Sequence, residues 1–346
     1  MRTRISASLA AFVAAAALPA AALAQVYPER VAVRTHHAEA YQRRDADRSE
    51  QTERSTKTLH IGETGELDIS NIAGDITVTR GGGDVATVEV IKTARADSGE
   101  GARAMLQLVE VAIADRPGRG EVRTIYPRGE DRGRHRNLNV SVAFNVTAPA
   151  GAELTLHSIS GDLSVTNIQG ELSAQTVSGN VRLASVGRVT TAKSVSGTVA
   201  ISDATMDGSL EATSISGDVV LKKLSARRLD VSSISGDVRM TDVQCDRLQA
   251  QSISGLIEYD GSLARGGRYD LKSHSGEVRL ELSGNTGFEL DASSFSGEVR
   301  SDFPITTHGT SGEGSRRRRT LSGTYGDGSA VLTLGSFSGG IVIARK

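Results

Sequence analysis

The chain has 346 residues, with 40 basic against 41 acidic side chains, a net charge of −1, no Trp and 3% aromatic residues. That balance gives no reason to expect nucleic-acid binding. The single cysteine, Cys245, rules out an intramolecular disulfide and reads as a small, partly buried apolar residue.

Residues 1–24 read as a secretory signal. Arg2 and Arg4 form its basic start, Leu9 to Leu18 an Ala-rich run too short to span a bilayer, and Ala22-Leu23-Ala24 the cleavage site. No Cys follows that site, so no lipid anchor is expected, and no later segment reaches the ~18 apolar residues of a membrane helix. Loss of the two arginines leaves a net charge near −3. The expected address is the periplasm or the cell surface.

Residues 25–58 are polar and charged, and read as a linker, or at best a helix from His37 to Arg54. Residues 59–150 read as a first coil plus an α+β capping insertion. Leu67, Ile69, Ile72, Gly74, Ile76 and Val78 already carry the spacing that dominates the rest of the chain. Within the insertion, Val85–Ile91 alternates like a strand, and Ser98 to Leu108 has an N-cap and helical spacing of Ala102, Met105, Leu106 and Val109. Val109–Ala114 and Glu121–Tyr126 read as a strand pair around Arg116-Pro117-Gly118. Arg128–Arg136 reads as a basic loop, and Asn139–Thr147 as a further strand.

Residues 151–346 repeat one phrase nine times: Ser or Thr, an apolar or aromatic residue (His once), then Ser-Gly. The glycines are Gly161, Gly179, Gly197, Gly217, Gly236, Gly255, Gly276, Gly297 and Gly339, at gaps of 18, 18, 20, 19, 19, 21, 21 and 42. The last gap, twice 21, reads as a coil that has lost its Ser-Gly signature. Such a period marks a solenoid or propeller. Positions two and four after the glycine are apolar except Ser301, and position seven before it is Leu in seven coils. Alternation on both sides predicts two short strands per coil, each with one face buried. The apolar residue two before the glycine has the opposite parity from the strand preceding it. It predicts a change of phase at a corner, with these residues, His274 among them, turned inward. The glycine suits a tight bend, and the following Asp or Asn suits local turn bonding. The Ser or Thr three before the glycine is expected to bond along the stack. The fold class is therefore all-β: a β-solenoid of two-strand coils, with about nine coils spanning roughly 40–45 Å.

Residues 302–323 interrupt the pattern with a basic loop holding Arg316, Arg317, Arg318 and Arg319. A solvated loop is the plain reading, and contact with an anionic surface or a partner the functional one. Leu332 to Ile343 is expected to close the stack.

Little catalytic chemistry is legible. Seven histidines show no zinc-type spacing, and no Gly-x-Ser-x-Gly elbow occurs. Nine equivalent serines read as a structural ladder. Asp162, Asp218 and Asp237 lack the glycine-rich spacing of a calcium β-roll. Glu277 and Glu298 form the nearest adjacent-coil acid pair for glycoside cleavage. Tyr259, Tyr269, Phe295 and Phe337 are the aromatics open to sugar stacking. No catalytic residue, metal or cofactor is expected.

The phrases Ser158-Ile-Ser-Gly-Asp162, Ser214-Ile-Ser-Gly-Asp-Val219 and Ser233-Ile-Ser-Gly-Asp-Val238, with Ala148-Pro-Ala-Gly151 leading in, resemble the DUF4097 family of β-strand repeat proteins, also called toastrack, over roughly residues 59–346. The resemblance implies a coil stack and the family's label of candidate adhesin, and it brings no catalytic residues. The leading expectation is a non-enzymatic exported binding or scaffolding module of the cell envelope, its partner an envelope protein or polysaccharide. Next comes an envelope-stress or signalling accessory that binds a membrane partner through the linker or Arg316–Arg319. A polysaccharide-active β-helix enzyme comes last.

Overall fold

A computed structural model describes residues 49–127, 138–307 and 319–346. The repeat folds into coils whose strands pair in parallel with those one period away. Val181 lies beside Leu163 on one side and Val199 on the other, while Leu172 lies beside Leu154. Every residue two after a repeat glycine is buried, from Leu163 to Ile341. In parallel register these side chains stack on their own equivalents, so one apolar core runs through the stack.

The two-strand coil is plainest where the period is 18. The longer coils add a third inward pair: in Val219–Ser233 and Val238–Ser252 the strand continues through Leu224 and Ala226, or Val243 and Cys245, all buried. A sharp bend precedes this pair. It is made by Asn167, Ser185, Asp203, Lys223 and Asp242, each six residues after a glycine with φ between 48° and 62°. Asn and Asp tolerate this left-handed conformation best, which accounts for three of the five. The irregular Thr190 is a bulge: Leu172 pairs with Val189 and Ser173 with Thr191, so Val189 fills the place that Leu takes elsewhere.

Near the start of the described chain lie β1 (Ser49–Leu59), β2 (Glu66–Ala73), β3 (Ile76–Arg80), β4 (Ala86–Ala96), α1 (Gly99–Leu108), β5 (Glu110–Arg116), β6 (Arg119–Ile125) and β7 (Val140–Ala148). The linker reading fails from Ser49 onward, because β1 pairs with β4. Residues 37–48 of the alternative helix, the signal segment and the Arg128–Arg136 loop lie outside the described residues. Ser98 caps α1, its Oγ accepting the Gly101 N–H at 3.1 Å. β2 and β3 form the early coil. The insertion separates it from the next coil in sequence but not in space, since Leu67 lies beside Leu154 and Ile76 beside Leu163. β6 and β7 continue the parallel ladders on its other side, and β5 and β4 then pair with them antiparallel. The change of direction ends the parallel stack and blunts its edge.

The other end departs from expectation. The Gly339 coil does not close the stack. Its strand Ala330–Ser336 lies between Arg268–Ser273 and Phe288–Ser294, parallel to both, and Ile341–Arg345 lies between Val278–Ser283 and Val299–Ser301. The last coil in sequence is next to last in space. Among the described residues, the gap of 42 therefore hides no lost coil. The chain leaves the Gly297 coil, forms Thr320–Tyr325 antiparallel to Phe288–Ser294, and returns to insert. Phe288, Phe303 and Tyr325 pack at centroid distances of 4.9–5.3 Å, with the Arg345 guanidinium 5.2 Å from the Phe303 ring. Phe303 supplies apolar bulk beside Ser301, the one polar residue at its position.

Candidate functional site

The repeat phrase divides its side chains between two sides of the turn. The residue three before each glycine is buried, and its hydroxyl donates to the glycine carbonyl one coil away. Ser194 Oγ reaches Gly179 O at 2.8 Å, Ser214 reaches Gly197 at 2.9 Å, and Ser233 reaches Gly217 at 2.9 Å. Ser336 bonds Gly276 and Ser294 bonds Gly339, which confirms the inserted order. Ser158 Oγ alone in this row has no partner. Its counterpart carbonyl, Gly74 O, takes the Asn71 amide at 2.8 Å instead.

The residue two before the glycine was expected to face inward, and it faces outward. Ile159, Val177, Val195, Ile215, Ile234, Ile253, Phe295 and Phe337 are all exposed, from 40% to 65%. His274 is exposed too, and its ring stacks on Phe337 at 4.9 Å and 6°, while Phe337 stacks on Phe295 at 4.7 Å and 1°. The change of phase falls later, at the glycine turn itself: the buried Ser or Thr three before the glycine still follows the inward parity of its strand, so the next residue points to solvent, and the inward phase resumes two after the glycine. The apolar identity of the column suggested burial. The buried hydroxyl beside it was the better guide.

The result is a ridge: an apolar column with a row of exposed serines beside it, from Ser160 to Ser338. The backbone along the ridge is already paired from coil to coil, as in Ile253 N–H to Ser233 O at 3.3 Å and Ser254 N–H to Ile234 O at 2.9 Å. The ridge therefore offers side chains to a partner, and no free strand edge. On its far side runs a charged row. Arg182 pairs with Asp162, Arg239 with Asp218 and Asp237, Arg279 with Glu277, and Arg300 with Glu298. The acids of this row do not make local turns. Their oxygens accept the backbone N–H one coil on: Asp162 from Asn180 at 2.8 Å, Asp218 from Asp237 at 2.9 Å, and Asp237 from Leu256 at 2.8 Å.

The remaining candidates fall into place. Glu277 and Glu298 are not on adjacent coils, because Gly340 of the inserted coil stands between them. Two strand spacings, about 9–10 Å, separate their backbones. Tyr259 and Tyr269 are buried, their hydroxyls donating to Ser262 O and Cys245 O at 2.8 and 2.7 Å. They are closed to sugar stacking, whereas Phe295 and Phe337 remain open. Cys245 is buried, and burial pushes its thiol up to about 12. His60 Nδ1 lies 3.1 Å from Asp115 Oδ2 on the surface. Arg316, Arg317 and Arg318 lie outside the described residues. Arg319 is exposed, and its carbonyl accepts the Ser294 N–H at 2.7 Å. Among the described residues, no group of three or more His, Cys, Asp or Glu is placed to hold a metal ion, and no helix is long and apolar enough to cross a membrane.

No curated protein matches this chain. Among solved structures, a candidate adhesin from Parabacteroides distasonis is 12% identical, with 84% of this chain and 97% of that chain covered and a TM-score of 0.48. A candidate adhesin from Bacteroides fragilis is 14% identical, with 85% and 97% covered and a TM-score of 0.40. The family model for Toastrack DUF4097 matches residues 55–223, 216–266 and 264–344, nearly the whole described body. The chain belongs to the Toastrack DUF4097 family.

Proposed function

We propose that the protein is a non-enzymatic, exported, adhesin-like binding module of the cell envelope, and that the apolar ridge is its contact surface. The observation that carries this is the outward column. Nine successive coils place Ile, Val, Phe or His where the fold needs no apolar group and where solvent favours polar ones. A continuous exposed apolar patch of this kind marks an interaction site. Burying one such side chain against a partner is worth about 1.5–3 kcal/mol. The serine row supplies hydroxyls to the same partner, an envelope polysaccharide or protein lying along the stack. Residues 1–24 support the exported address.

The test is co-sedimentation with purified envelope fragments. A variant with Ile215, Ile234, Ile253 and Phe337 changed to Ser is expected to keep its circular dichroism and melting temperature while losing retention at least about tenfold, a difference near 1.4 kcal/mol. Undiminished retention would sink the ridge as the contact surface. The four consecutive arginines favour a second reading, an accessory that docks through the basic loop. Loss of retention only when Arg316–Arg319 become Ser would move the site there.

A further inference from the structure

On the flank away from the charged row, the residue eight before the glycine faces solvent in every coil except that of the bulge, where Val189 is buried. In three consecutive coils it is arginine: Arg228 lies beside Arg247, and Arg247 beside Arg268. Strand spacing puts their backbones about 4.8 Å apart, and like charges directly opposite destabilise a sheet. In the charged row beyond the ridge the protein neutralises its cations, as the paired Arg182, Arg239, Arg279 and Arg300 show. Here it does so only in part. Arg228 donates to Asp230 at 2.8 and 3.2 Å. Asp270, two residues after Arg268, is engaged by Lys272 at 2.8 Å. Beside Arg247 the corresponding residue is the neutral Gln249. Among the described residues, neither Arg247 nor Arg268 has an ion-pair partner.

The three arginines line an open groove of about 430 Å³, together with Gln249, Asp270, Val331 and Thr333. That volume falls within the usual range of small-ligand sites, roughly 300–1,000 Å³. The lining also holds Asp230, engaged by Arg228, and Asp270, engaged by Lys272, so the uncompensated charge of the groove is that of Arg247 and Arg268. We infer that this groove binds an acidic sugar unit, with its oxyanion held by Arg247 and Arg268. Two planar guanidinium forks match the geometry of a carboxylate or phosphate group. The Gln249 amide and Thr333 hydroxyl suit sugar hydroxyls, and the side chain of Val331, 39% exposed, offers apolar contact to a ring face. This site is separate from the apolar ridge and stands or falls without it.

Calorimetric titration of the whole protein with trigalacturonate, a neutral trigalactoside and inorganic phosphate tests the assignment. The acidic trisaccharide is expected to bind saturably and more weakly as salt rises. The neutral sugar and phosphate are each expected to bind at least about tenfold more weakly. Arg247→Gln with Arg268→Gln should weaken the acidic sugar at least about tenfold, since hydrogen bonds to charged groups are lost. Arg279→Gln, the same charge change elsewhere, should leave binding within about twofold. The double variant relieves like-charge contact, so its melting temperature should hold or rise. Four results would overturn the inference: no saturable binding of trigalacturonate, equal binding of the neutral sugar, equal binding of phosphate alone, or an undiminished double variant.

Discussion

Three positions divide the work of holding one coil to the next, the third only where Asp or Asn follows the glycine. The glycine lets two backbones approach, the buried Ser or Thr donates to the glycine carbonyl thus brought near, and the Asp or Asn accepts an N–H one coil on. A methyl group at Gly217 would overlap the Gly197 carbonyl, whereas one at Gly208 meets nothing within 4 Å. Gly217→Ala is therefore expected to cost about 3 kcal/mol, the upper end for overpacking because backbone must yield. Gly208→Ala should stay within about 0.5 kcal/mol. Urea unfolding of the two variants checks this, and equal midpoints would refute the close-approach account. The Asp row adds a pH dependence. Burial alone would raise the Asp162 carboxyl, but the Asn180 backbone N–H, the Arg182 guanidinium and the Asn180 amide hold it below the ordinary value. A lowered folded pKa means the contribution is complete above the unfolded value of about 3.9 and is lost as pH falls through the folded one. Asp162→Asn keeps an oxygen acceptor but does not titrate. Its urea midpoint should fall less than the wild type's between about pH 5 and pH 2. Parallel acid limbs would show that Asp162 contributes nothing to them.

At the scale of elements, most of the fold was legible in the sequence. Ser98 as N-cap, the Arg116-Pro117-Gly118 turn and the strand before Pro149 all stand where local pattern put them. Local chemistry decides such features. The placement of the Gly339 coil was not legible, because its sequence fits between any two neighbours of the stack equally well. Register alone carries no order. Only the path of the connection, through a strand antiparallel to Phe288–Ser294, decides it. A chain ending at Ser329 should therefore fail badly. It would leave Arg268–Ser273 and Phe288–Ser294 without the strand they share, exposing two parallel edges. The expected result on size exclusion is loss of the full chain's peak to aggregates, whereas a stable product of matching oligomeric state with native circular dichroism would contradict the inserted position.

Over the whole molecule, the stack follows from the period and the core from its alternation. The ridge was misread for a physical reason. Apolar identity usually reports burial, and here the column of Ile, Val and Phe violates that rule in every coil but the one that carries His274. Parity would have found it, since the Ser or Thr three before the glycine continues the inward phase of the strand. The arginine rungs were missed because their meaning lies in register across three coils and in partners they lack, neither of which appears along one strand. The inserted coil also has a consequence in time. A ribosome makes this chain from its N-terminus, and the early coils can stack as they emerge. The Gly276 and Gly297 coils cannot take their native neighbour until Ala330–Arg345 exists. Completion of the stack is thus deferred until Ala330–Arg345 has been made, and the unfinished chain stays open at that end until then.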